Sequence, residues 1–194
     1  MKKFIYVSTR CAKIDAGFYG ATKLIAENLI KESGINFLIL RVSEVFGKNQ
    51  SSFNFVKKLS YFSPIILLPF WKNIYLQPIL VEDLLQLLNK ILSSHHINKT
   101  YNVAGNENFN LKDLIKIIPG LLNKYRLFVP LPIFLVKVFS HMNLILKKPY
   151  FYPDQIPRLI CDKPTDISSI EEDFNFKPDS IRKFIKELDD EAFF

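Results

Sequence analysis

The sequence predicts an α/β fold built on a parallel β-sheet, and three observations carry that expectation. Two short runs, "FIYVST" at 4–9 and "NFLILRV" at 36–42, are almost continuously apolar, as strands buried on both faces of a parallel sheet are. A helical pattern lies between them with short links, so the order is strand, helix, strand: a βαβ unit with a right-handed crossover. The chain has 194 residues, enough for one domain with a sizeable core. Of these, 48% are hydrophobic and 18 are Phe, which excludes a disordered chain.

The first strand is rich in β-branched and aromatic residues and ends on Ser8 and Thr9. Gly17 precedes a helix from about 18 to 32, with Leu24, Ile25, Leu29 and Ile30 as its apolar stripe. Gly34 stands where a left-handed cap would end it. Beyond the second strand, "SEVFGKNQSS" reads as a polar loop and "FNFVKKLSYF" as a short helix. Pro64, Pro69 and Pro78 then break the chain into short extended pieces. Glu82 or Asp83 opens a helix in "EDLLQLLNKILSS" on a stripe of Leu84, Leu85, Leu88 and Ile91. "TYNVAG" (100–105) reads as a third strand. Asn110 caps "LKDLIKIIPGLL", with Asp113 placed as in a capping box. Residues 127–148 are apolar and proline-broken, and the tail holds loops and one terminal helix from Ser180.

Lys plus Arg number 26 against 19 Asp plus Glu, a net charge of +7. The basic residues do not form runs with interleaved aromatics, so nucleic acid is not an expected partner. Lys, Ile, Asn and Phe are all abundant, as in AT-rich coding, which accounts for part of the charge. Cys11 and Cys161, like His95, His96 and His141, fit no metal spacing, which suits a reduced, cytoplasmic protein without structural zinc. The start "MKKFIYVSTR" has too few apolar residues for a secretory signal, whose apolar region needs about 7–15. Pro130, Pro132, Lys137 and His141 interrupt the most membrane-like stretch, 127–146. A buried helix is therefore expected there rather than a span, with a helix lying in a membrane surface as the lesser alternative.

The chemistry points to "GFYGATKLIAENLI" (17–30). Tyr19 and Lys23 fall at i and i+4, on one helix face a turn apart. A free tyrosine, with a pKa near 10, is too weakly acidic for proton transfer at neutral pH, and a nearby ammonium favours its phenolate. Such a tyrosine can exchange a proton with a substrate hydroxyl or carbonyl while a hydride moves to or from a nicotinamide. Ser8 and Thr9 end the preceding strand at the carboxyl edge, where open α/β sheets bind ligands. Alone, Tyr-x-x-x-Lys also arises on any solvated helix face, so its surroundings decide.

Those surroundings run from strand–Ser–Thr through Tyr-x-x-x-Lys, Ala-Glu and Ser-Gly to "LILRVSEVFG", and on to "QPILVEDLLQLL" and "TYNVAGNENFNLKDL". Together they resemble the extended branch of the short-chain dehydrogenase/reductase superfamily, the NAD-dependent epimerases and dehydratases. The short spacing from Thr9 to Tyr19, "LPFWKNIYLQPILVEDL" and the late "YPDQIPRLICDKPTDISSIEEDFNFKP" resemble the atypical group containing the NAD(P)H-binding accessory subunit of respiratory complex I. The resemblance implies the C-terminal portion of a Rossmann-type doubly wound parallel sheet plus a small substrate-binding region. Residues 1–50 would be the C-terminal half of a dinucleotide-binding domain, and 51–194 the remaining sheet elements and substrate region. It implies NAD or NADP as cofactor and a small-molecule substrate such as a nucleotide-sugar. Tyr19 would be the acid/base, Lys23 its activator and a ligand of the nicotinamide ribose, and Thr9, with Ser8 beside it, the catalytic hydroxyl. Val42, Ser43 and Val45 would line the nicotinamide side of the cleft, although Val42 stands where the family has Pro. The alternative it implies is a non-catalytic assembly protein, membrane-peripheral, like the complex I subunit.

One departure is large. None of the six glycines forms the G-x-G-x-x-G or G-x-x-G-x-x-G turn that holds a dinucleotide pyrophosphate. Roughly three βα units that precede the Ser–Thr strand in the family have no counterpart here. The first strand is then expected to be an apolar sheet edge, prone to pair with a second copy or with a chain carrying the Gly-rich half. A truncated gene, a split protein and a trimmed homologue with a new role all fit, and truncation is the favoured expectation.

Overall fold

The computed structural model describes residues 2–47, 62–70, 74–121, 125–132 and 165–184, with 134, 135, 138, 141 and 157. Three parallel strands form its centre, in the order β1–β2–β7: β1 (Phe4–Thr9), β2 (Phe37–Val42) and β7 (Lys99–Val103). The helix α1 (Gly17–Glu32) crosses from β1 to β2, in parallel register from Phe4↔Phe37 to Thr9↔Val42. This is the expected βαβ unit, and the fold class is α/β with a parallel sheet as predicted.

Helices cover both faces. Strand alternation sends Leu38, Leu40 and Val42 to one side. There they pack with Leu87 and Ile91 of α2 (Val81–Ser93) and with Ile170 and Phe174 of α4 (Ser168–Phe174). Ile39 and Arg41 point to the other side, under α1, and Ile39 is fully buried. A second core joins Phe46, Ile74, Leu76, Leu80 and Phe109 to Leu114 of α3 (Leu111–Leu121) and to Ile181 and Phe184. Two-stranded pairs complete the described part. β3 (Val45–Phe46) runs parallel to β6 (Ile79–Leu80), and β5 (Tyr75–Leu76) antiparallel to β8 (Phe109–Asn110). β4 (Ile65–Phe70) runs parallel to β9 (Leu127–Pro132).

Several expectations change. β1 is not buried on both faces: Phe4 and Val7 are nearly half exposed, because β1 is the sheet edge among the described residues. The α1 stripe divides. Leu24 and Ile30 lean toward the sheet, whereas Ile25 and Leu29 are 59% and 63% exposed on the outer face. In α2 the helix starts at Val81, and Leu87 rather than Leu85 is buried. Residues 127–132 form a strand, not part of a buried helix. Pro130 and Pro132 are tolerated because, among the described residues, β4–β9 is two-stranded, which leaves each strand an edge that needs no N–H. Among the described residues no helix is long and apolar enough to cross a membrane. The helix expected at 53–62, Phe62 apart, Cys161 and most of residues 133–164 lie outside the described residues.

Candidate active site

The loop from β1 to α1 brings the chemistry to the sheet's carboxyl edge. Three backbone bonds fold it tightly: Ala12 N–H to Thr9 O (3.0 Å), Lys13 N–H to Cys11 O (2.8 Å) and Ala16 N–H to Lys13 O (3.3 Å). Gly17, at φ 79°, turns the chain into α1 through a conformation that other residues rarely adopt. Gly20 lets α1 sit directly on this loop, since a Cβ there would lie 2.4 Å from Cys11 O. Tyr19 and Lys23 therefore start α1 beside the end of β1.

Tyr19 is 36% exposed, and the Lys23 ammonium lies 5.9 Å from its ring centroid and 4.8 Å from that of Tyr6. Lys23 Nζ donates to Val7 O at 3.0 Å. Phe4 N–H bonds Asn36 O and Arg10 N–H bonds Val42 O, so the even residues of β1 face β2 and Val7 O faces away from it. Lys23 thus caps an acceptor on the outer edge of β1.

The expected site residues separate into three environments. Ser8 is buried, and its hydroxyl donates to Glu27 Oε1 at 2.5 Å. Thr9 lies on the opposite strand face, and its Oγ1 accepts the Cys11 N–H at 3.3 Å. Val42 belongs to the core and Val45 packs against it, so their side chains do not line an open cleft; only their backbone could. Ser43 stays at the edge. Its N–H bonds Val103 O (2.8 Å) and its hydroxyl donates to Gln77 O (2.7 Å).

Three polar residues that organise the carboxyl edge and the underside of α1 went unread in the sequence. Gln77, buried, gathers the carboxyl ends: its Nε2 donates to Gly105 O (2.8 Å), and its Oε1 accepts Thr165 N–H (2.8 Å) and Arg10 Nη1 (3.5 Å). Glu27, fully buried, accepts Arg41 Nη2 at 2.6 Å on Oε2 and Arg41 Nε at 3.0 and 3.1 Å on its two oxygens. A lone arginine inside "FLILRV", and a carboxylate eight residues after Tyr19 on the same helical ridge, were the available signals. Among the described residues no cluster could hold a metal ion.

The described site is thus a Tyr–Lys pair opening a helix beside the carboxyl ends of parallel strands in a Rossmann-type α/β fold. No family model matches the chain. It is 24% identical over 177 residues to the mouse mitochondrial NADH dehydrogenase [ubiquinone] 1 alpha subcomplex subunit 9, covering 89% of this chain and 47% of that one. The Dictyostelium discoideum subunit of the same name is 28% identical over 176 residues, covering 88% and 49%. The chain thus spans about half the length of the curated relatives it matches. Its fold is that of UDP-glucuronic acid 4-epimerase from Bacillus cereus, solved with UDP-glucuronic acid and NAD. The TM-score is 0.68 at 19% identity, over 96% of this chain and 62% of that one. These similarities coincide with the resemblance read from the motifs.

Proposed function

We infer that the chain is an NAD(P)-dependent epimerase, dehydratase or reductase-type protein acting on a hydroxyl or carbonyl of a nucleotide-sugar or related small molecule. The observation that carries this reading is the placement of Tyr19 and Lys23 at the start of α1, beside the carboxyl end of β1 where Thr9 stands. Tyr19 would exchange the proton with the substrate oxygen, and Lys23, on the same helix face, would favour its phenolate and bind the ribose. Thr9 would hold the substrate oxygen; Ser8 is committed to Glu27. A bound nicotinamide would supply hydride transfer.

The residues present suit only one end of that cofactor. An ammonium, a phenol and the Ser43 edge suit a ribose and nicotinamide, but the 194 residues hold no Gly-rich turn for the pyrophosphate. Cytoplasmic location, and action as a homodimer or with a second chain that brings the Gly-rich half, belong to this proposal. The test is conversion of a panel of nucleotide-sugars with NAD or NADP present, read as formation of the epimer, of the keto-sugar or of reduced nicotinamide. Conversion that Tyr19→Phe abolishes supports the reading, and conversion that survives Tyr19→Phe removes Tyr19 from the mechanism.

The sequence relatives favour a second reading, an NAD(P)H-binding assembly protein without turnover. Co-purification with a membrane respiratory complex, with no conversion of any sugar, would select it.

A further inference from the structure

We propose that Glu27 is a positioning residue, whose carboxylate, held by Arg41 of β2 and Ser8 of β1, sets the height and rotation of α1 and so places Tyr19 and Lys23. The proposal rests on reading those two residues as the proton-transfer pair.

Ser8 and Arg41 are register partners on adjacent parallel strands, so both side chains stand on the face that α1 covers. Glu27 comes down on that pair. One oxygen takes the Ser8 hydroxyl at 2.5 Å, and the other takes Arg41 Nη2 at 2.6 Å. The helix is thereby bonded to both strands at one point. Tyr19, Lys23 and Glu27 form one ridge at four-residue spacing. At 1.5 Å per residue, Glu27 anchors the ridge about 6 Å from Lys23 and about 12 Å from Tyr19 along the axis.

An apolar side chain could fill the same volume, and replacing a buried ion pair with apolar groups is often neutral or stabilising. What the ion pair adds is direction. A guanidinium grips a carboxylate in a fixed plane at a fixed distance, whereas apolar contacts let a helix slide and roll. On the outer face of α1, Ile25 and Leu29 stay more than half exposed, so they supply little such constraint.

The test compares the 194-residue chain with Glu27→Gln, using amide hydrogen exchange and NADH saturation-transfer NMR. Glu27→Gln is expected to exchange residues 17–32 about tenfold faster while 37–42 keep their protection, as loss of a charge-assisted bond in one local unit predicts. The nicotinamide-ribose signal should fall with it. Equal loss of protection throughout the sheet would show a merely structural residue, and unchanged protection of 17–32 would overturn the proposal. Should Glu27→Gln not fold, Ser8→Ala removes a single bond, and it must show the same selective loosening at about threefold or the proposal fails. Lys23→Met is the separate arm: if the ribose signal is unaffected by Lys23→Met, the reading of the site has failed, not the role of Glu27.

Discussion

Replacing Gly20 by alanine sets two effects of opposite sign against each other. In a helix, Gly→Ala ordinarily stabilises by about 1 kcal/mol. Here the new methyl would lie 2.4 Å from Cys11 O, 2.7 Å from Ala16 Cβ and 2.9 Å from Lys13 O. Two of the three are backbone oxygens of a loop closed by its own hydrogen bonds, and Cys11, Ala12 and Ala16 are buried, so the loop has nowhere to retreat. Overpacking of this kind costs about 1–3 kcal/mol, and three simultaneous clashes argue for the upper part of that range. The net expectation is destabilisation by about 1–2 kcal/mol, a fall in Tm of roughly 2–8 °C for a chain of this size. Thermal unfolding followed by circular dichroism reads it directly. A Gly20→Ala chain that melts at or above the parent temperature would refute the close packing of α1 on its loop, and with it the placement of Tyr19.

Other outcomes follow from the same contacts. Arg41→Met leaves the Glu27 carboxylate buried without its guanidinium and should destabilise by about 3–5 kcal/mol in urea unfolding, far more than an exposed substitution. Tyr19→Phe should leave stability within about 0.5 kcal/mol in the same assay, as a functional rather than structural residue would. Asp173 of α4 accepts Lys99 Nζ at 2.7 Å and the Tyr101 hydroxyl, and these bonds hold its carboxyl below the usual range. A depressed carboxylate contributes stability that is present above its unfolded value, near pH 4, and is lost as the pH falls through the folded value. Asp173→Asn should therefore be less stable than the parent at neutral pH, with the gap closing below about pH 4 in urea titrations. NADH should bind the isolated chain weakly; a fluorescence titration giving a Kd below about 1 μM would mean that the pyrophosphate is held after all.

How much was legible depended on the range of the forces involved. The bounds of β1 are readable because an apolar β-branched run ending in Ser8 and Thr9 is a local signal. The two-residue strands β3 and β6 exist only through the pairing of Val45 with Ile79 and Phe46 with Leu80, across more than thirty residues, and no local pattern marks them. The four apolar residues of α1 straddle adjacent ridges, so periodicity alone could not separate Leu24 and Ile30 from Ile25 and Leu29. α4 was missed because it is seven residues long and has no side-chain cap; its readable mark was Asn175, left-handed at φ 43° just past its end. In the site, the Tyr19–Lys23 spacing was visible at once. The Glu27–Arg41–Ser8 contact was not, since it joins three elements that the sequence keeps apart.

We propose that Tyr19 and Lys23 of this chain hold the nicotinamide end of a dinucleotide. Saturation-transfer NMR with NADH, nicotinamide mononucleotide and AMP tests it most directly, because it detects weak binding and reports which protons touch the protein. Transfer is expected to the nicotinamide-ribose protons of NADH and of the mononucleotide, with little to AMP and loss of the ribose signal in Lys23→Met. Transfer centred on adenine, or a ribose signal indifferent to Lys23→Met, would contradict it.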